Sequence, residues 1–165
     1  MAISIQKETF DAGAITNSLV DSASGYSGAL VTMTGVVKSK TATHQTLRAL
    51  ELECYPDMAR KIISDIEQQA RHRWDLHHTT IIHRYGLLSP SDVIVLVAVM
   101  AEGRKAAFSA AMYIMDLVKT EAPFWKNEHT ENGEHHWISV NKTDSDASST
   151  WLHPVSCTIT SSKKL

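Results

Sequence analysis

The sequence predicts an α+β domain, in which an antiparallel or mixed sheet packs against two long amphipathic helices. Three observations carry this. Residues 56–74 and 104–121 place apolar side chains at i, i+3, i+4 and i+7, the stripe of a helix buried along one side. Val93-Ile-Val-Leu-Val-Ala-Val99 is apolar on both faces and reads as a central, covered strand. The remaining β-rich runs are separated by short polar segments suited to hairpins, without the regular alternation of strands and helices that marks a parallel array.

Element by element, Ile3 and Ile5 alternate with polar neighbours and give a short first strand. Phe10-Asp11 then reads as staple and N-cap for a brief helix presenting Ala14, Ile15 and Leu19. After a small, polar loop, residues 28–37 form a strand, residues 39–46 a polar loop, and residues 47–54 a returning strand; the 28–54 segment is expected to be a hairpin with an exposed tip. Pro56 suits a first helical turn, and Ala59, Ile62, Ile63, Ile66 and Ala70 form the inward stripe up to Trp74. Strands are expected at 79–85 and 93–101, joined by a turn at 86–92. The second long helix, 104–121, turns Ala107, Ala110, Ala111, Ile114, Met115 and Val118 inward. A last short strand covers 136–140, and residues 141–165 lack periodicity and read as a loosely ordered tail after a single domain, 1–140.

Composition limits what such a domain does. A formal net charge of −2 argues against nucleic-acid binding over a broad face, so any anion site must be a local cluster. No apolar run is long enough to span a membrane, and the first residues have neither the basic start nor the apolar core of a signal peptide. Two cysteines without CxxC spacing fit a reducing cytoplasm with free thiols. Nine histidines include the pairs His77-His78 and His135-His136, but strand neighbours face opposite ways, and HExxH and Cys/His clusters are absent. Neither a metal nor a cofactor is expected. A metal-dependent hydrolase would have to show bound metal in the purified protein.

The most informative segment is Leu117-Val-Lys-Thr-Glu-Ala-Pro-Phe-Trp-Lys-Asn-Glu128. Pro123 ends the helix near Ala122, and the chain then turns so that Lys126 folds back toward Lys119. Two ammonium groups held together beside an aromatic wall repel each other and are partly desolvated, which lowers a lysine pKa and suits chemistry on an anion. A helix C-terminus decorated with lysines has the same composition, because the macrodipole favours cations there. Arg104 starts the same helix, fifteen positions before Lys119, so their backbones are roughly 22 Å apart. If both act on one small substrate, Arg104 from a second copy of the chain is the simpler source. Lys38 stands where a strand runs into a loop, a common place for a functional group and for a solubilising charge alike. His83 in its strand is a structural rather than a catalytic candidate.

Five ordered blocks give a resemblance: Thr32-Met-Thr-Gly-Val-Val-Lys38, Leu52-Glu-Cys-Tyr-Pro-Asp-Met-Ala59, Ile82-His-Arg-Tyr-Gly-Leu-Leu88, Arg104-Lys-Ala-Ala-Phe108 and Lys119-Thr-Glu-Ala-Pro-Phe-Trp-Lys-Asn-Glu128. Together they resemble the large, catalytic (MoaE-type) subunit of molybdopterin synthase over residues 1–140. The resemblance implies an α/β-hammerhead-type fold and a central homodimer. It also implies a small ubiquitin-like sulfur carrier bound to each large subunit, a heterotetramer in all. The carrier's C-terminal Gly-Gly arrives as a thiocarboxylate, and two sulfurs pass to cyclic pyranopterin monophosphate, a pterin phosphate, making the molybdopterin dithiolene. By the same resemblance Lys119 is the principal catalytic lysine and Lys126 assists. Lys38, Gly103 and Arg104 fall at substrate-binding positions, Arg104 acting across the dimer, and Asn127 and Glu128 shape the pocket wall. Two positions depart from the family, which has arginine at Lys38 and histidine at Gly103. Lysine keeps the charge but loses the planar fork that grips phosphate, and glycine removes a donor. The alternative is a dimeric scaffold of little or no activity that binds a ubiquitin-like partner.

Overall fold

The computed structural model describes residues 1–23, 25–139 and 142–151. Their elements run β1 (Ala2–Gln6), α1 (Ala12–Asp21), β2 (Ala29–Val36), β3 (Leu47–Cys54), α2 (Pro56–Arg73), β4 (Leu76–Arg84), β5 (Gly86–Leu88), β6 (Val93–Ala101), α3 (Arg104–Thr120), β7 (Phe124–Thr130), β8 (His135–Ile138) and α4 (Lys142–Ser149). They build two four-stranded sheets, ordered β1-β4-β6-β2 and β5-β3-β7-β8. Only β1 and β4 pair in parallel, so the α+β expectation holds.

The first sheet carries the main core. On β6, Val95, Val97, Val99 and Ala101 pack into the cluster made with α2 and α3, while Ala98 and Met100 meet Leu19 of α1 on the other side. An all-apolar strand is what an interior position with both faces covered demands. The α2 stripe is buried at Ala59, Ile63, Ile66 and Ala70, and α3 buries Ala107, Ala110, Ile114 and Val118 without solvent exposure above 2%. Ala107, Ala110 and the buried Ala111 let α3 approach the sheet closely. Asp11 caps α1 as the sequence suggests, its side chain accepting from the Ala14 N–H at 2.9 Å.

The expected 28–54 hairpin does not form. β2 pairs with β6 in the first sheet, whereas β3 lies between β5 and β7 in the second. The two strands are both half-polar and adjacent in sequence, but each buries its apolar face against a different partner. Val37 and Leu47, at the two ends of the connecting loop, both enter the small core of the second sheet with Leu50, Leu52 and Leu88. Inside the loop, His44 adopts φ 64°.

Three further elements differ from expectation. The turn assigned to 86–92 contains β5, and the segment after Pro123 is the seven-residue strand β7. The third is α4, which stands where loose order was expected and packs along α3. It buries no residue of its own and is tied down by Trp151 just beyond it. With Ala147 as its one apolar residue, it left no stripe to read in the sequence. Val140, Asn141 and residues 152–165, with the expectations placed on them, lie outside the described residues.

Candidate active site

The chain from α3 into β7 makes the site. α3 ends as expected at the approach to Pro123, its cap residue Glu121 donating from its N–H to the Leu117 carbonyl at 2.8 Å. A tight turn follows, with the Phe124 N–H donating to the Ala122 carbonyl at 2.8 Å, and β7 begins at once. Lys119 therefore lies in the last turn of the helix and Lys126 near the start of a strand that doubles back.

Lys126 is half-buried, and its pKa is lowered first by desolvation and then by the Lys119 ammonium. The Asp144 carboxylate acts in the opposite sense. The fold thus brings both lysines into one field, as the kinked segment suggests. Lys119 itself donates to Asp144 Oδ1 at 3.1 Å.

Strand alternation sorts the rest of β7 into two faces. Phe124, Lys126 and Glu128 share one. Glu128 is half-buried, and desolvation raises its pKa while the His136 and Lys38 charges lower it. Lys38, exposed at the end of β2, therefore belongs to the same neighbourhood. A cleft of about 340 Å³ opens beside Glu128, lined also by Thr41, Thr43, Gln45, His136 and a second carboxylate, Glu134. Asn127 points to the opposite face, where it donates to Glu51 Oε2 at 3.3 Å, beside the His129 contact with the same oxygen at 3.0 Å. Asn127 thus does not line the lysine pocket; it ties β7 to β3. On that face lies a larger cleft, about 610 Å³, lined by Tyr55, Trp125 and Trp137, which neither lysine of the pair enters.

His83 is a neighbour that sequence reasoning treated as structural. Its ring is stacked on Phe124, 3.7 Å between centroids, and its Nδ1–H donates to the Arg84 carbonyl at 2.8 Å. Burial pulls its pKa down to about 4; the hydrogen bond to Arg84 opposes this, and the Lys126 charge reinforces it. The imidazole is therefore neutral at physiological pH, with Nε2 carrying the lone pair. A single histidine inside a strand offers no spacing signal, because Phe124 reaches it from the other sheet.

Arg104 and Gly103 stand at the opposite end of α3, as first residue and N-cap, both exposed. Within one chain they do not meet the lysine pair. A Cβ added at Gly103 would find nothing within 4 Å, so packing does not impose the glycine.

The fold and the site thus define a class: a two-sheet α+β domain with a lysine pair, one member half-buried, at the seam between a helix end and a strand. The MoaE protein family model matches residues 5–121. The chain is 40% identical over 151 residues to the molybdopterin synthase catalytic subunit of Cereibacter sphaeroides, covering 92% of this chain and all of the relative. It is 42% identical over 155 residues to the subunit of the same name from Brucella melitensis, covering 93% of each. Among solved structures, the molybdopterin biosynthesis MoaE protein of Burkholderia ambifaria superposes with a TM-score of 0.76 at 38% identity, over 93% of this chain and 100% of that one. A complex of subunits 1 and 2 of the Helicobacter pylori molybdopterin-converting factor matches at 17% identity, with a TM-score of 0.68 over 83% of this chain and 90% of that one, and shows likeness of fold alone. The chain belongs to the MoaE family.

Proposed function

We propose that this chain is the catalytic subunit of a molybdopterin synthase, a sulfurtransferase of molybdenum cofactor biosynthesis. In this reading it passes sulfur from a thiocarboxylated ubiquitin-like carrier to cyclic pyranopterin monophosphate. The observation that carries the reading is the half-buried Lys126 held in the field of Lys119. Thiocarboxylate, cyclic phosphate and the intermediates between them are anions. Fixed cations in a partly dry site stabilise that charge on the attacking sulfur group and where it develops, on the leaving phosphate oxygen. Lys119 supplies the principal charge, and Lys126, whose proton is more easily lost, moves protons. Glu128 lines the smaller cleft, and Lys38, whose charge acts on Glu128, would meet the pterin phosphate beside it.

A shared site follows from α3 itself. Arg104, Phe108, Met112 and Lys119 fall on one side of the helix, all exposed, with Phe108 and Met112 forming an apolar strip. Positions 104 and 119 are symmetric about the point between 111 and 112. Two α3 helices packed antiparallel about a two-fold axis there would set Arg104 of one copy beside Lys119 of the other. This arrangement supports a homodimer, and with a small carrier on each large subunit a heterotetramer. Among the described residues no helix is long and apolar enough to cross a membrane, and Cys54 is a free thiol, in keeping with a cytoplasmic enzyme.

The test is direct. The protein is mixed with thiocarboxylated carrier and cyclic pyranopterin monophosphate, and oxidised molybdopterin is sought by its fluorescence. Carrier binding with no fluorophore would leave the scaffold reading in its place.

A further inference from the structure

We infer that α4 is a reversible latch, in which the Asp144 carboxylate holds the place on Lys119 that an incoming anionic chain end or substrate must take. The inference rests on the proposed site at Lys119 and adds how access to it is controlled.

The latch has a weak tip and a firm anchor. At the tip, Lys119 Nζ donates to Asp144 Oδ1 at 3.1 Å, with side chains 38% and 22% exposed. A partly exposed pair of this kind is weak and readily exchanged for another anion. At the anchor, the Trp151 indole N–H donates to Asp116 Oδ2 at 2.8 Å, one helical turn before Lys119. The same ring packs edge-on against Trp74 and Tyr113, at 6.0 and 5.5 Å between centroids. Its carbonyl accepts from Arg73 at 3.1 Å. Between tip and anchor the helix buries nothing. A segment with no buried face opens locally at small cost, while its anchored end keeps it near the site.

Electrostatics give the contact its consequence. Asp144 is the charge that opposes the effects of burial and Lys119 on Lys126, so the latch partly neutralises the whole lysine pair. A carboxylate already in position resembles the carboxyl end of a peptide in charge and shape. Such an end therefore binds only to the fraction of molecules in which α4 has moved away.

The test uses the full-length protein and three readouts that require no sulfur transfer. Lysine labelling by trinitrobenzenesulfonate, an anionic amine reagent, is followed residue by residue by mass spectrometry, with exposed Lys105 as internal reference. Asp144→Asn should raise the Lys119 rate three- to tenfold relative to Lys105. Trp151→Ala should do the same and speed amide exchange across 142–150. A synthetic peptide ending in Gly-Gly with a free carboxylate should bind several-fold more tightly to Asp144→Asn than to the parent. Lys119 labelling within twofold of the parent in Asp144→Asn overturns the latch, as does weaker peptide binding, which would make Asp144 part of the receptor. Failure to form the dithiolene would count against the transferase reading while leaving these readouts intact.

Discussion

His83 lies flat on Phe124, with 19° between ring planes, and this stack joins the first sheet to the second right beside Lys126. The ring is buried, stacked on Phe124 and already uses its Nδ1–H, so a second proton has no favourable place. That has a measurable effect on stability.

Between its ordinary value of 6.5 and about 4, His83 binds a proton in the unfolded chain and not in the fold. Its contribution is therefore complete above pH 6.5 and is lost as the pH falls toward 4, amounting to about 3 kcal/mol. His83→Phe keeps a ring against Phe124 and removes the titration. Urea unfolding at pH 7.5 and 4.5 should show a clearly smaller drop for the variant. An equal drop in both proteins would exclude His83 as the source.

Lys126 carries a cost of the opposite kind. Its lowered pKa means that the fold disfavours its charged form, so below that pKa the charge opposes folding. Lys126→Met should raise stability at neutral pH by on the order of 1 kcal/mol while sulfur transfer falls at least about a hundredfold. Thermal unfolding and the fluorescence assay on the same sample decide this. A variant that is both less stable and fully active would contradict it.

Lys119→Ala and Arg104→Ala should each lose about a hundredfold or more in turnover. If sites are shared across the dimer, mixing and re-associating the two inactive proteins returns roughly a quarter of the parent activity, because half the dimers are hybrid and each hybrid has one intact site. Mixtures that stay inactive would confine both residues to one chain.

Two glycines separate packing from chemistry. A Cβ at Gly28 would lie 2.3 Å from the Glu102 carbonyl oxygen, so Gly28→Ala should cost about 1–3 kcal/mol. Gly103 has open space around it, and Gly103→His should change stability by less than about 0.5 kcal/mol. If position 103 contacts substrate, the same variant lowers KM without changing the unfolding midpoint. Denaturation curves and steady-state kinetics on the two variants check both statements.

Much of the fold was legible because burial leaves a period. The α2 and α3 stripes, the two-faced apolar β6 and the Asp11 cap all follow from local spacing. β7 was hidden, since one of its faces carries Lys126 and Glu128 and the other carries Asn127 and His129 bound to Glu51. A strand whose two faces both serve polar partners has no apolar alternation to read. The lysine pair was visible, because Pro123 forces the reversal between its members. The face on which Asn127 lies was not legible, for want of the strand assignment that sets it.

The order of apolar and polar residues thus determined the helices, the central strand, the break at Pro123 and the pairing of Lys119 with Lys126. All of these depend on neighbours within a turn or two. Only the tertiary structure decided that β2 and β3 enter different sheets, that His83 meets Phe124 and that Asp144 reaches Lys119. Those contacts join residues 25 to 41 positions apart, or strands with equally suitable alternative partners, and competition among distant surfaces for burial selects between them.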